Sequence, residues 1–183
     1  METNGIWSLD EAKSQHFYSE TLAANLAKYF EASEKVFDFG CGVGFYADYF
    51  HHNGLSVRAF EGTPDIGKIA LFPSIEQRDL SQPFNLEEKA DILCLEVGEH
   101  IPPEFDAIFF ENLFTHADQK IVLSWAVPGQ GGHGHFNEKP NSYVIDKMAA
   151  NGFKYKYGES VLLRQEIGNC RWFKDTIMVF ERV

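Results

Sequence analysis

A chain of 183 residues in which 44% are apolar, with 17 Phe and 7 Tyr, suits one domain spanning residues 1–183 and holds enough core-forming material to exclude a disordered chain. A count of 16 Lys and Arg against 27 Asp and Glu leaves a net charge of −11 with no basic cluster, which disfavours nucleic acid as a partner. Cys41, Cys94 and Cys170 are too scattered for a disulfide framework or a thiolate zinc site, so reduced thiols are expected.

The chain opens METNGIWSLDEAKSQ, without a charged stretch followed by an apolar run, and no later segment approaches the ~18–20 apolar residues that cross a bilayer. A cytoplasmic location with no membrane contact is expected. Leu9, Ala12 and His16, then Leu22, Leu26, Tyr29 and Phe30, recur at helical spacing and predict one or two helices over 8–32, an N-terminal cap (1–32) on a sheet core (33–183). From residue 35 short apolar runs alternate with amphipathic segments. Strands are expected over 35–40, 56–62, 75–79, 91–97, 120–126, 153–157 and 176–182. Helices are expected over 44–53, 65–71, 104–117, 142–151 and 159–167, with Gly54 and Gly152 as C-terminal caps. Such alternation predicts the α/β class, a doubly wound and mostly parallel sheet.

The first strand runs into VFDFGCGVG, residues 36–44, and then into an amphipathic helix. Gly40, Gly42 and Gly44 allow a sharp turn and a close ligand approach at the helix N-terminus, where free N–H groups point outward. Asp38, two residues before the first glycine, suits a cationic aminoacyl group better than a pyrophosphate. Glu61 ends the second strand, before Gly62, and can accept from both hydroxyls of a ribose. Asp79, in QRDL ahead of Leu80, follows the third strand and is positioned to accept from an adenine amino group. Cys41 has no cationic neighbour in sequence and reads as a small loop residue.

Together these residues make the chain resemble the class I S-adenosylmethionine-dependent methyltransferases. The resemblance implies a Rossmann-like, doubly wound seven-stranded mostly parallel sheet with the last strand antiparallel. It implies S-adenosyl-L-methionine as cofactor, bound by Asp38, Gly40, Cys41, Gly42, Glu61, Gly62, Asp79, Leu80 and Glu96.

After the fourth strand comes EVGEH, residues 96–100, then IPP. In this fold class, ligands bind at the carboxyl ends of strands. A helical turn from Glu96 would bring Glu99 and His100 to one side as its i+3 and i+4 neighbours, with Pro102 ending the turn. Two carboxylates and an imidazole are half of an octahedral site for Mg²⁺ or Mn²⁺. The Glu-x-x-Glu-His pattern is similar to that of the ubiquinone-pathway O-methyltransferases and the plant small-RNA 2'-O-methyltransferases. In the latter, a further histidine from beyond the fifth strand completes the set. PGQGGHGHFN, residues 128–137, occupies that position, so the resemblance implies His133 or His135 as fourth ligand, the other being left as proton acceptor. His100, His133 and His135 are thus the candidate catalytic residues.

The expected activity is methyl transfer to oxygen on a small hydroxylated acceptor: a sugar, a catechol or another diol. Two alternatives are a metal-independent small-molecule N-methyltransferase and a non-catalytic cofactor-binding subunit of a partner. The sequence fixes no oligomeric state. His51, His52 and His116 are expected at the surface, and Phe45, Tyr46, Phe109, Phe110 and Phe114 in the core. His16, Phe17 and Tyr18 are expected over the ligand, and Trp125 either stacked on a flat substrate or packed on Phe136.

Overall fold

The computed structural model describes residues 5–183; residues 1–4 of the expected N-terminal cap lie outside the described residues. A capping box starts helix α1 (Leu9–Gln15): Ser8 N donates to Glu11 Oε2 at 2.9 Å, and Glu11 N returns a bond to Ser8 Oγ at 3.4 Å. His16 turns the chain into extended geometry, and Ser19 caps α2 (Glu20–Tyr29) by accepting from Leu22 N at 3.2 Å. The N-terminal segment is therefore two helices with a break at 16–19.

Then follow β1 (Val36–Phe39), α3 (Phe45–His52), β2 (Val57–Glu61), β3 (Ile75–Gln77), β4 (Ala90–Cys94), α4 (Asp106–His116), β5 (Ala117–Leu123), α5 (Asn141–Ala150), β6 (Phe153–Tyr155), α6 (Tyr157–Gln165), α7 (Phe173–Thr176) and β7 (Met178–Arg182). They form a seven-stranded sheet in the order β3-β2-β1-β4-β5-β7-β6. Strands β1 to β5 pair in parallel, and β7 runs antiparallel between β5 and β6. The expected architecture, including the reversed last strand, is the observed one.

Every residue of β1 and β4 is buried, which is why these strands read as continuous apolar runs rather than alternating ones. Alternation survives in where the side chains go. Ile92 and Cys94 pack with Phe109, Leu113 and Met148 on one face, while Leu93 packs with Leu22, Phe30 and Leu163 on the other. Helices thus cover both faces, and the strand order reverses between β1 and β4, the switch point at which a crevice opens.

Three sequence expectations need correction. Residues 65–71 form only a single 3₁₀ turn at Ile66–Lys68, entered through Asp65 at φ 61°. His116 is fully buried, not at the surface: its ring stacks on Phe84, Nε2 accepts from Leu86 N at 3.0 Å, and Nδ1 lies 2.7 Å from Asn112 O. Trp125 is also fully buried, sandwiched with Phe109 and Phe110 and donating from Nε1 to Asn137 O at 2.7 Å, so it faces neither a substrate nor Phe136. His51 and His52 are exposed, as expected.

Candidate active site at the switch point

A cavity of about 440 Å³ opens over the carboxyl ends of β1, β2 and β4, and each residue assigned to the cofactor from the sequence borders it. At one end the glycine loop turns with positive φ at Gly40 (73°) and Gly42 (58°), a region costly for residues that carry a Cβ. Gly42 N donates to Glu61 Oε2 at 2.9 Å, while Thr63 N and Oγ1 hold Oε1 at 3.0 and 2.9 Å. Glu61 is thereby fixed with its carboxylate against the loop. Asp79 Oδ1 is held in the same way by Ser81 N and Oγ, at 2.9 and 2.6 Å.

Asp38 is the charged residue inside β1. It is buried, its Oδ2 has no hydrogen-bond partner, and burial together with the nearby Glu61 pushes its carboxyl up to about 7. A buried carboxylate oxygen without a donor is costly, and an ammonium group delivered by a ligand removes that cost. Cys41 is half-buried, with burial and the carboxylates of Asp38 and Glu61 holding its thiol in the neutral form.

At the other end the chain leaves β4 through Glu96, a non-glycine residue at φ 53°, and makes one 3₁₀ turn at Gly98–His100. Glu96 N donates to Ser124 Oγ at 2.8 Å, and its Oε2 accepts from Gln130 Nε2 at 2.7 Å. Glu99 is fully buried and neither carboxyl oxygen has a well-aligned partner. Burial and the adjacent Glu96 raise its carboxyl well above the usual range, and burial raises Glu96 as well. His100 is pushed down to about 4 by burial and by His135, and its Nδ1 lies 3.1 Å from Gly134 O.

The two loop histidines separate clearly. His135 points inward: its ring sits edge-on to His100 at 4.9 Å and its Nε2 is 3.9 Å from Glu99 Oε1. Glu99, His100 and His135 each offer a ligand atom, all within 4.8 Å of one another, with Glu96 alongside. His133 is directed elsewhere. Its Nε2 meets Glu11 Oε1 of α1 at 2.8 Å, and it borders the cavity rather than joining that cluster. A buried carboxylate whose oxygens have no well-aligned partner, beside two imidazoles, is a donor set that can take a borderline divalent cation such as Mn²⁺.

The N-terminal segment closes the cavity from above. Trp7 stacks on His16 at 5.1 Å and meets His100 and His133 edge-on, and the His16 ring lies directly over Gly42. Phe17 and Tyr18 border the same space. Sequence reasoning missed Gln130, Thr63, Ser81 and Glu11 as partners of site residues. Only Glu11 carried a signal, the Ser-x-x-Glu of its capping box, and that signal concerns the helix and not His133.

Beneath the cluster, Gly98 admits no side chain: a Cβ there would stand 2.3 Å from the Trp125 ring, which Phe109 and Phe110 hold in place. Gly98→Ala is expected to destabilise the fold by roughly 1–3 kcal/mol, lowering the melting temperature by about 2–4 °C per kcal/mol. A thermal melt equal to wild type would show that the turn has room to move.

No family model matches this chain, and no curated protein is similar to it in sequence. Solved structures are similar in fold. Magnesium protoporphyrin IX methyltransferase from Synechocystis PCC 6803, determined with bound S-adenosylhomocysteine, shares 18% identity over 88% of this chain and 82% of its own, with a TM-score of 0.63. The methyltransferase domain of a bacterial Hen1 shares 15% identity over 96% of this chain and 100% of its own, at 0.64. An amino pentose methyltransferase from Micromonospora echinaspora, with S-adenosylmethionine bound, shares 13% over 95% and 94%, at 0.68. At such identities the likeness is one of architecture: the fold is that of the class I S-adenosylmethionine-dependent methyltransferases.

Proposed function

We propose that this chain, built on the methyltransferase fold, is an S-adenosylmethionine-dependent O-methyltransferase for a small hydroxylated acceptor such as a sugar, a catechol or another diol. In this reading Asp38 pairs with the cofactor's ammonium, Glu61 accepts from its ribose and Asp79 faces its adenine. Glu96, Glu99, His100 and His135 hold a divalent cation. One observation carries the metal: Glu99 is fully buried, neither of its carboxyl oxygens has a well-aligned partner, and it stands beside His100 and His135, which together with Glu96 border the cavity. Burial raises both carboxyls, and a cation beside them would favour the ionised forms that burial disfavours.

Bound, the cofactor supplies an electrophilic methyl carbon, and the cation lowers the pKa of an adjacent hydroxyl. With cofactor and acceptor bound, the methyl group would pass from sulfur to the acceptor oxygen, and this chain's part would be to align the two and take up the hydroxyl proton. The hydroxyl proton goes to His133. With Nε2 donating to Glu11, the other ring nitrogen of His133, Nδ1, is left as the acceptor, and Glu11 fixes that orientation of the ring. His133→Ala is expected to reduce turnover about 10²–10⁴-fold while leaving cation affinity unchanged, with Glu11→Gln weaker in the same direction. Unchanged turnover in both variants would remove His133 from this role.

The acceptor is small and not anionic. The cavity must hold cofactor and acceptor together, and its described charged lining is Asp38, Glu61, Asp79 and Glu96 against Arg78 alone. The net charge of −11 points the same way, away from nucleic acid. The likeness in fold to an amino pentose methyltransferase keeps a second reading, metal-independent N-methylation of a small amine, in play. Transfer of labelled methyl to a panel of catechols, pentoses and amino sugars, with Mn²⁺ or with excess chelator, separates the two. Transfer to diols that stops in chelator supports the first reading. Transfer to amines that persists in chelator supports the second, and no turnover on any acceptor leaves the chain as a cofactor-binding subunit.

A further inference from the structure

The glycine-rich loop ends on Asn137, a residue 2% exposed. Its Nδ2 donates to Asp106 Oδ1 at 2.7 Å and to Ile101 O at 2.9 Å, with Gly98 O a third acceptor at 3.3 Å, which fixes the amide's orientation. Asp106 is held in turn, its Oδ2 accepting from Tyr143 OH at 2.7 Å. Main-chain atoms extend the clamp. Asn137 O accepts from Trp125 Nε1 at 2.7 Å, and the Phe136 and Asn137 amides both donate to Glu99 O, at 3.2 and 3.1 Å.

These bonds embrace the turn that carries Glu99 and His100. Asn137 ties down the carbonyls of Gly98, Glu99 and Ile101, two residues beyond His135, and none of the bonds needs a cation. The other side of the loop is anchored by Glu138, which accepts from the Gly129 and Gly131 amides, both at 2.7 Å, and whose Oε1 lies 3.6 Å from His135 Nδ1, too far for a hydrogen bond that would fix the ring. Between them, Gly132 and Gly134 adopt positive φ and leave the backbone around His135 with much freedom to lose. A flexible glycine loop aims an imidazole only if one end is pinned, and the buried pin is Asn137.

We propose that Asn137 is the positioning residue that sets His135 against Glu99 and His100, with Asp106 and Tyr143 orienting its amide. The inference rests on reading Glu96, Glu99, His100 and His135 as a functional cluster. Partners of this outer kind change metal affinity by about 10–100-fold when lost.

The test compares wild type with Asn137→Ala and Tyr143→Phe in three measurements. In metal-free protein, the proton Overhauser contact between the His100 and His135 rings is expected in wild type and absent in Asn137→Ala. Mn²⁺ affinity, read by electron paramagnetic resonance, is expected to fall about 10–100-fold in that variant. S-adenosylhomocysteine affinity is expected to stay unchanged, which general unfolding would not allow. Tyr143→Phe, which leaves Asn137 intact and frees one oxygen of Asp106, should weaken Mn²⁺ binding less, and it decides the matter should Asn137→Ala not fold. Retention of the ring contact and of Mn²⁺ affinity in the folded variants overturns the proposal. A wild type that shows the ring contact but binds no Mn²⁺ overturns the metal reading instead, and the ring contact alone then decides the role of Asn137.

Discussion

Replacing Glu99 with glutamine is expected to lower diol methylation by about 10³-fold, because the cation's charge supplies several kcal/mol at the reacting oxygen and each 1.36 kcal/mol is a factor of ten. The same change should stabilise the metal-free protein. Glu99 is fully buried, and its carboxyl is raised well above the value it has in the unfolded chain. The folded state therefore binds the proton more tightly, and the wild type loses stability as pH rises from the ordinary carboxylate range toward the folded value. Glutamine removes that loss. A gain on the order of 1–3 kcal/mol, or about 2–4 °C of melting temperature per kcal/mol, is expected near neutral pH and should vanish toward pH 4. Differential scanning calorimetry in chelator, across pH, reads it directly. A variant less stable than wild type at pH 8 would mean that Glu99 finds a partner within the protein.

Asp38 carries the second large effect. Its carboxyl is held near 7, and the cofactor's ammonium needs it ionised. Binding below pH 7 must then release a proton, so S-adenosylhomocysteine affinity is expected to rise with pH and level off above about 7. In the limit the slope is about tenfold per pH unit, since one unit is 1.36 kcal/mol. Asp38→Asn should bind at least about 30-fold more weakly at pH 8, the cost of truncating one side of a buried charged pair, and its affinity should lose the pH dependence. The linkage for folding has the opposite sense. A carboxyl whose folded value lies above its unfolded value favours the fold below the unfolded value, and that contribution is lost as pH rises through about 7. Calorimetric titration from pH 5.5 to 8.5 measures the binding side, and a flat wild-type profile would show that Asp38 is not the ammonium partner.

Much of this fold is legible in the sequence because parallel strands covered on both faces leave a plain signature. VFDF and ADILC are short apolar runs between amphipathic stretches, and both are central strands. The 65–71 segment failed for a local reason. Ile66, Ile69 and Phe72 have helical spacing, yet Asp65 enters in a left-handed conformation and a single turn is all the chain makes before β3. His116 failed for a tertiary one: its helical position is plain, but nothing nearby in sequence says that the 84–86 segment folds over it.

At the site, the Asp38, Glu61 and Asp79 positions followed from the ends of strands, which the sequence marks well. The choice between His133 and His135 did not. Two imidazoles among glycines look alike in one dimension; what divides them is Glu11, 122 residues from His133, and the Glu99 carbonyl that receives the Phe136 and Asn137 amides. Asn137 itself looked like the end of a loop, because its acceptors come from the turn after β4 and from the start of α4.

Anomalous diffraction at the manganese edge, from crystals grown with S-adenosylhomocysteine and Mn²⁺, tests the account most directly. The expected result is one peak bounded by Glu96, Glu99, His100 and His135, with His133 outside it and still paired to Glu11. No peak there, with Glu99 and His135 left unbridged, would contradict metal-assisted transfer.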